Sequence, residues 1–272
     1  MPGKLGLFLG LTGAHINGRD ALDLGLADRF LRVTSKTNCS MAMPEISIGL
    51  YPDVGASWFL SRLPGKLGLF LGLTGAHING RDALDLGLAD RFLRDDQQDE
   101  LLDGLLQLNW QEQSAMQLNS LLKALAQEAI SDQPDAQWLP RRIQIDEWLD
   151  VGDVRCAWRA LNLLRDHSDP LLSRAGKTLS EGCPLTAHLV WEQLQRARHL
   201  SLAQVFQMEY TLSLNCCRHP EFAEGVRARL IDKDQAPHWH WPDINTLPEA
   251  VVQAHFDKAW EGRNPLADLS DY

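Results

Sequence analysis

The 272-residue chain lacks features that would assign it to several broad classes of protein. No apolar stretch reaches the roughly 20 residues that a membrane-spanning helix needs, so we expect no membrane association. Basic residues are not in excess, because 26 Lys and Arg stand against 36 Asp and Glu and the formal net charge is −10. Since a nucleic-acid-binding surface needs a positive footprint, this balance predicts that nucleic acid is not a partner.

Cysteine is also scarce, and its spacing does not suggest a disulfide framework or a metal site. The five cysteines are Cys39, Cys156, Cys183, Cys216 and Cys217. They are odd in number and show no CxxC spacing, which predicts reduced thiols in an intracellular protein. Together with the lack of a membrane-spanning stretch, this predicts a cytoplasmic location. His238 and His240 have no cysteine or acidic cluster beside them in the sequence, so we expect no metal ion there.

The sequence does contain a perfect repeat. The 31 residues PGKLGLFLGLTGAHINGRDALDLGLADRFLR begin at Pro2 and recur unchanged from Pro64. A solenoid has several degenerate copies that stack on one another, whereas here there are two identical ones. The first copy begins like a signal peptide, but the second lies inside the chain among helix and turn signals. We therefore interpret these letters as part of a folded interior.

Residues 33–94 combine short apolar stretches with strong turn signals. Ile46, Ile48 and Leu50 alternate with small residues between two proline-containing turns, which predicts a short strand. Arg91–Leu93 is a further extended candidate. The repeat unit itself predicts a helix that stops at Gly75 and a shorter one capped by Asn79.

After Arg94 the pattern becomes helical almost to the C-terminus. Amphipathic helices are predicted over Leu101–Leu108, Met116–Ile130, Ile143–Trp148, Arg155–Leu164, Thr186–Leu200 and Leu202–Cys217. The chain thus divides into a duplicated helical segment (1–32), a small α/β segment (33–94) and a helical C-terminal region (95–272). The α/β segment has two or three candidate strands, too few for an independent sheet with both faces covered.

Two widely separated blocks carry a family resemblance. AMPEISIGLYPDVGASWFLSRLPGKLGLFLGLTG (Ala42–Gly75) resembles the 3-hydroxyisobutyryl-CoA hydrolases, a branch of the enoyl-CoA hydratase/isomerase (crotonase) superfamily. CPLTAHL, MEYTLSLNCC and EFAEGVRARLIDKDQAPHW (Glu221–Trp239) agree with it further along, so the resemblance covers about residues 33–260. It implies an α/β, partial crotonase-like fold with a truncated sheet, followed by a mainly helical region. It also implies hydrolysis of an acyl-CoA thioester in valine catabolism, with no cofactor, since coenzyme A is part of the substrate.

The resemblance further implies that this chain is incomplete as an enzyme. Family members begin with roughly a hundred further residues, which carry the first strands, the coenzyme A contacts and the glycine-rich loops of the oxyanion hole. No glycine-rich loop of that kind precedes Met43, and the first repeat copy stands in its place. We predict that a duplicated fragment replaced the N-terminal half, by rearrangement or by faulty sequence assembly, and that activity is impaired. A selected, functional duplication is the alternative.

Two carboxylates are the candidates for chemistry. Thioester hydrolysis needs a carboxylate that activates water or attacks directly, and donors that hold the developing oxyanion. Glu45 and Asp53 lie eight residues apart around the predicted strand. Taken alone, both could be turn residues, with Asp53 capping a helix. The resemblance assigns Glu45 as nucleophile or general base, and Asp53 as its partner in positioning substrate or water.

Other charged residues permit two interpretations. Glu209 falls on the apolar stripe of a predicted helix, where we expect an ion pair with Arg227 or Arg229 rather than a ligand contact. Arg227 and Lys233 are candidates for binding a coenzyme A phosphate, and a solvated charged face is the alternative.

Two other functions stay open. One is an enoyl-CoA hydratase or isomerase on the same fold, although PDVG and the long EGVRARLIDKDQAPHW ending favour the hydrolase branch. The other is a non-catalytic remnant or binding module. The predicted partner is an acyl-CoA, and the sequence leaves open whether the chain forms a homo-oligomer.

Overall fold

The computed structural model describes residues 41–110, 114–258 and 260–269. Within these ranges the chain forms twelve α-helices joined by turns and short 3₁₀ segments. The helices are α1 (Ala56–Leu60), α2 (Leu67–Thr74), α3 (Gly80–Asp85), α4 (Gln98–Gln107), α5 (Ser114–Glu128), α6 (Arg142–Trp148), α7 (Val154–Asn162), α8 (Pro170–Glu181), α9 (Pro184–Ala197), α10 (Leu202–Arg218), α11 (Pro220–Val226) and α12 (Glu249–Phe256). None of the described helices is long and apolar enough to cross a membrane.

The helices belong to two compact units. The smaller unit contains Ile78–Pro140 and Met41, and its core forms where Leu101 and Leu105 of α4 pack with Leu125 of α5. The larger unit contains Ala42–His77 and the chain from Arg141 onward. These units do not follow the predicted division into 33–94 and 95–272, which stays a prediction, as does the boundary at residue 32 outside the described residues.

The larger unit has a core built from segments far apart in the sequence. Tyr51, before α1, packs with buried residues of α9, α10 and α12. Gly225 of α11 meets the backbone at Ile48, since a Cβ placed on it would lie 2.1 Å from the Ile48 carbonyl oxygen. The segment that carries Glu45 and Asp53 is therefore embedded among C-terminal helices.

The predicted strand between the two proline turns is wrong. Glu45–Ser47 forms a 3₁₀ turn, and the Glu45 carbonyl accepts hydrogen bonds from the amides of Ile48 (3.0 Å) and Leu50 (3.1 Å). Because these backbone groups pair locally, they are not available for a sheet. The apolar alternation reflects a turn that buries Ile46 completely.

The second predicted strand among the described residues is also wrong, whereas most of the predicted helices are confirmed. Arg91–Leu93 forms no strand, and the one bridge among residues 41–94 is an isolated antiparallel pair of Met41 and Ile78. The six C-terminal helices predicted from periodicity are all present, with ends shifted by a few residues. Gly75, at φ 58°, ends α2, and the Asn79 side chain caps α3 through the Asp82 amide. The first repeat copy lies outside the described residues.

Three helices were not predicted, and proline explains why. Helices α8 and α11 begin at Pro170 and Pro220, and α12 follows Pro248. Proline is favourable in the first helical turn, because its missing N–H would have had no helical partner and its φ is already helical. In the sequence these prolines look like breaks.

Candidate active site

Glu45 is half-buried, with one carboxylate oxygen out of contact with solvent. Its backbone is fixed by the 3₁₀ turn after Pro44, and its side-chain oxygen Oε2 is buried with no hydrogen-bond partner among the described residues. Burial raises the pKa of Glu45 to about 7, and the nearby charge of Asp53 adds to the increase. A carboxyl with this pKa can both accept and return a proton near neutral pH.

Asp53 lies in the turn that leads into α1. Its carbonyl accepts a hydrogen bond from the Ala56 amide (2.9 Å), and the two residues after it have positive φ, 51° at Val54 and 85° at Gly55. A positive φ is uncommon for a β-branched residue such as Val54, so the surrounding contacts must hold this turn. Burial raises the pKa of Asp53 as well.

The structure brings the two predicted carboxylates into one electrostatic environment. The negative charge of Asp53 raises the pKa of Glu45 and also that of Glu209, although burial is the larger cause in both. The charge of Asp53 therefore makes both of these carboxyl groups harder to ionise. The catalytic assignment of Glu45 and Asp53 stays a prediction.

The predicted ion pair of Glu209 with an arginine is wrong. Glu209 is buried on α10, and its carboxylate accepts hydrogen bonds from the amides of Gly55 (2.7 Å) and Ser57 (3.0 Å) and from the Ser57 hydroxyl (2.6 Å). These three donors satisfy a buried carboxylate without a cation. The apolar helix stripe indicated that Glu209 needs a partner, but it could not show which one.

Two further residues that the sequence analysis missed hold the same turn. The Tyr51 hydroxyl donates to the backbone carbonyl of Glu209 (2.7 Å) and lies 2.7 Å from the Ser213 hydroxyl. Gln193 of α9 donates from Nε2 to the carbonyl of Pro52 (3.0 Å). No local sequence motif could predict either contact, because each joins residues more than 130 positions apart.

Arg227 and Lys233 lie in different environments. The Arg227 guanidinium forms ion pairs with Glu224 (2.7 Å), Asp232 (2.7 Å) and Asp234 (2.6 Å), which raise its pKa. These carboxylates would compete with any phosphate for Arg227. Lys233 is exposed in the turn that follows, with φ 57°.

The two histidines of the C-terminal segment line a separate cleft. A cleft of about 380 Å³ is bordered by His238 and His240 together with Glu221, Glu224 and Arg227. The backbone amides of both histidines donate to the two glutamates. In the part of the chain that the structure describes, no group of three His, Cys, Asp or Glu side chains is arranged to hold a metal ion.

Comparison with known proteins establishes the family. The enoyl-CoA hydratase/isomerase family model matches this chain in two overlapping segments, residues 1–39 and residues 31–256. The chain belongs to the enoyl-CoA hydratase/isomerase family. The first segment contains the first repeat copy and the second segment contains the other, so both copies match the family.

The curated relatives confirm the predicted resemblance to 3-hydroxyisobutyryl-CoA hydrolases. The mitochondrial 3-hydroxyisobutyryl-CoA hydrolase of Danio rerio is 38% identical over 247 residues, which cover 90% of this chain and 62% of the relative. That of Homo sapiens is 36% identical over 234 residues, covering 86% and 59%. The chain thus spans about three-fifths of the length of these relatives.

Solved structures confirm a crotonase-like fold. A carnitinyl-CoA dehydratase from Mycobacterium thermoresistibile superposes with a TM-score of 0.70 at 33% identity, covering 84% of this chain and 62% of that one. An enoyl-CoA hydratase from Rhodobacter sphaeroides 2.4.1 gives 0.65 at 29% identity, covering 83% and 61%. The predicted partial sheet was wrong for residues 41–94, but the relation to this fold was right.

The predicted cytoplasmic location is contradicted. It depended on the cysteine pattern and on the lack of a membrane-spanning stretch. Four of the cysteines, Cys156, Cys183, Cys216 and Cys217, are free thiols in the structure. The curated relatives are nevertheless named as mitochondrial proteins. Free thiols indicate a reducing environment and do not distinguish one reducing compartment from another.

Proposed function

We propose that this chain is the part of an acyl-CoA thioester hydrolase of the 3-hydroxyisobutyryl-CoA type that contains the catalytic carboxylates, Glu45 and Asp53. The observation that carries the proposal is the Glu45 carboxyl, whose Oε2 is buried without a hydrogen-bond partner among the described residues and whose pKa is raised to about 7 by desolvation. Proton transfer is most efficient when the catalytic pKa lies near the working pH. Because the chain spans about three-fifths of the relatives' length, the activity of the whole protein is part of this proposal.

In the proposed reaction Glu45 acts as a general base. Its ionised carboxylate takes a proton from water, and the resulting hydroxide attacks the thioester carbonyl carbon. The tetrahedral oxyanion then collapses, the carbon–sulfur bond breaks, and the departing sulfur takes the proton back from Glu45. The products are the free acid and coenzyme A thiol. A raised pKa suits this role better than that of a nucleophile, which must remain ionised to attack.

Asp53 and Lys233 have supporting roles in the proposal. Asp53 positions the attacking water or the substrate, and its charge adds to the larger effect of burial that raises the pKa of Glu45. Lys233 would contact a phosphate of coenzyme A, since its side chain is exposed. We do not assign that contact to Arg227, whose guanidinium already binds three carboxylates.

The test compares one reaction, thioester hydrolysis, in a joined protein and in its Glu45→Gln variant. Residues 33–272 would be joined to the N-terminal half of the human relative, because we predict that this chain lacks the oxyanion-hole loops. We expect coenzyme A thiol to be released from 3-hydroxyisobutyryl-CoA, as followed with a thiol-reactive dye. Equal thiol release by the joined protein and by its Glu45→Gln variant would contradict the proposal.

Hydration of an enoyl-CoA is the second candidate function. The structures named as a carnitinyl-CoA dehydratase and an enoyl-CoA hydratase share this fold, and both names refer to chemistry at a carbon–carbon double bond. Loss of the ultraviolet absorbance of the enoyl thioester, without release of thiol, would favour this function over hydrolysis. The same joined protein serves both assays, so the two results are directly comparable.

A further inference from the structure

The turn that carries Asp53 is held in place from two helices. We define it as the 51–57 turn, residues 51 to 57. Its first residue, Tyr51, donates to the backbone carbonyl of Glu209 on α10, and the Pro52 carbonyl accepts from Gln193 on α9. Its last part is held by the Glu209 carboxylate through Gly55 and Ser57. Asp53 lies between these two anchored ends.

From this geometry we infer that Glu209 is a positioning residue, which fixes the 51–57 turn and with it the position of Asp53 relative to Glu45. Its two carboxylate oxygens have different tasks. Oε2 accepts from the Gly55 amide, whereas Oε1 accepts from both the amide and the hydroxyl of Ser57. A carboxylate can receive all three donors at once, since both of its oxygens are acceptors.

The conformation of the turn makes such a support necessary. Val54 and Gly55 are both at positive φ, and Val54 is 74% exposed, so its own side chain contributes little packing. A non-glycine residue in this region persists only where its surroundings hold it. Glu209 accepts a hydrogen bond from the amide of Gly55, directly after Val54, and so holds the backbone at the position where it is strained.

The charges agree with this arrangement. Asp53 lies close enough to both glutamates for its charge to raise the pKa of each, after the larger effect of burial. The ionisable groups around the turn include Glu45, Asp53, Tyr51, Glu209 and Cys216. A shift of the turn would change the separation of Asp53 and Glu45, and the pKa of Glu45 would report it.

Glu209→Gln tests the inference on the 272-residue chain. Glutamine offers one acceptor oxygen and an NH₂ group, so the amide of Gly55 or of Ser57 would face a donor. We expect one of these amides to exchange hydrogen about ten-fold faster. We also expect the titration midpoint of Glu45 to fall below about 7. Carbon-13 NMR of the carboxyl group would measure this midpoint.

Asp82→Asn in the smaller unit is the matched control. Asp82 is also a fully buried carboxylate, whose oxygens accept from the amides of Asn79, Gln137 and Trp138. Asp82→Asn likewise leaves a backbone amide facing an NH₂ donor, but it should not change the titration midpoint of Glu45. An unchanged Glu45 midpoint in Glu209→Gln, or an equal change in both variants, would show that Glu209 has only a structural role.

A milder variant covers the case in which Glu209→Gln fails to fold. Ser57→Ala keeps both backbone bonds to Glu209 and removes the hydroxyl that donates to this carboxylate and lowers its pKa. It also removes the acceptor of a 3.3 Å hydrogen bond from Gln193 Nε2. The Glu209 midpoint should rise, and an unchanged midpoint would contradict the arrangement. The catalytic meaning of the inference rests on the proposed function, but both titrations read the geometry whether or not the chain hydrolyses thioesters.

Discussion

Glu45→Gln should lower thiol release about 10²–10⁴-fold in the protein joined to the N-terminal half of a relative, which is the usual contribution of a general base. Glutamine has nearly the same shape as glutamate but cannot accept the proton from water. Substrate binding should change little, because the loss concerns the transition state. The measurement is the rate of coenzyme A thiol release at saturating substrate.

Asp82→Asn in the joined protein is the control for this loss. It alters a buried carboxylate in the smaller unit and should leave the rate within about two-fold of the unsubstituted protein, since the charge that acts on Glu45 is that of Asp53. A similar loss in both variants would mean that the effect of Glu45→Gln is a general loss of folded protein. A rate that is unchanged by Glu45→Gln would remove Glu45 from the chemistry.

The 272-residue chain by itself should hydrolyse 3-hydroxyisobutyryl-CoA no faster than its own Glu45→Gln variant. A single oxyanion-hole donor contributes about 10²–10³ in rate, and contacts to coenzyme A position the thioester for attack. The sequence before Met43 contains the first repeat copy and no glycine-rich loop of the kind that the family uses. Glu45 would then have suitable chemistry without a substrate held against it.

Joining the N-terminal half of a relative should restore Glu45-dependent thiol release, with a gain of at least about 10² over the 272-residue chain. The comparison requires equal amounts of folded protein, verified by circular dichroism. Robust activity of the 272-residue chain that depends on Glu45 would show that the first repeat copy supplies the missing parts. We would then abandon the prediction of a replaced N-terminal half.

Local signals predicted local structure well. Asn79 could be recognised as a helix cap because an asparagine just before a helix can accept a hydrogen bond from a backbone amide in the first turn. In the structure Asn79 accepts from the Asp82 amide, and the Asp82 side chain accepts from the Asn79 amide. Gly75 could be recognised as a helix end for the same reason. The amphipathic helices that were predicted between α4 and α10 could be recognised because their prediction requires only a repeating apolar face.

The signals failed where partners far along the chain decide the outcome. The alternation of Ile46, Ile48 and Leu50 is compatible with a strand or with a turn, and tertiary packing selected the turn. The burial of Glu209 could be inferred from its helix face, but its partners are 152 and 154 positions away. The resemblance supplied Glu45 and Asp53, whereas the residues that hold the turn became visible only in the structure.

The most direct test of the account is the titration of the Glu45 carboxyl group in the 272-residue chain. Glutamate labelled with carbon-13 at the side-chain carboxyl would be followed from pH 3 to pH 9, and Glu45→Gln would identify the Glu45 signal by its loss. Because burial and the charge of Asp53 disfavour the ionised form, the account predicts a midpoint at about 7. A midpoint near the ordinary value of 4.5 would show that Glu45 is not a proton acceptor poised for neutral pH, and would contradict the proposed site.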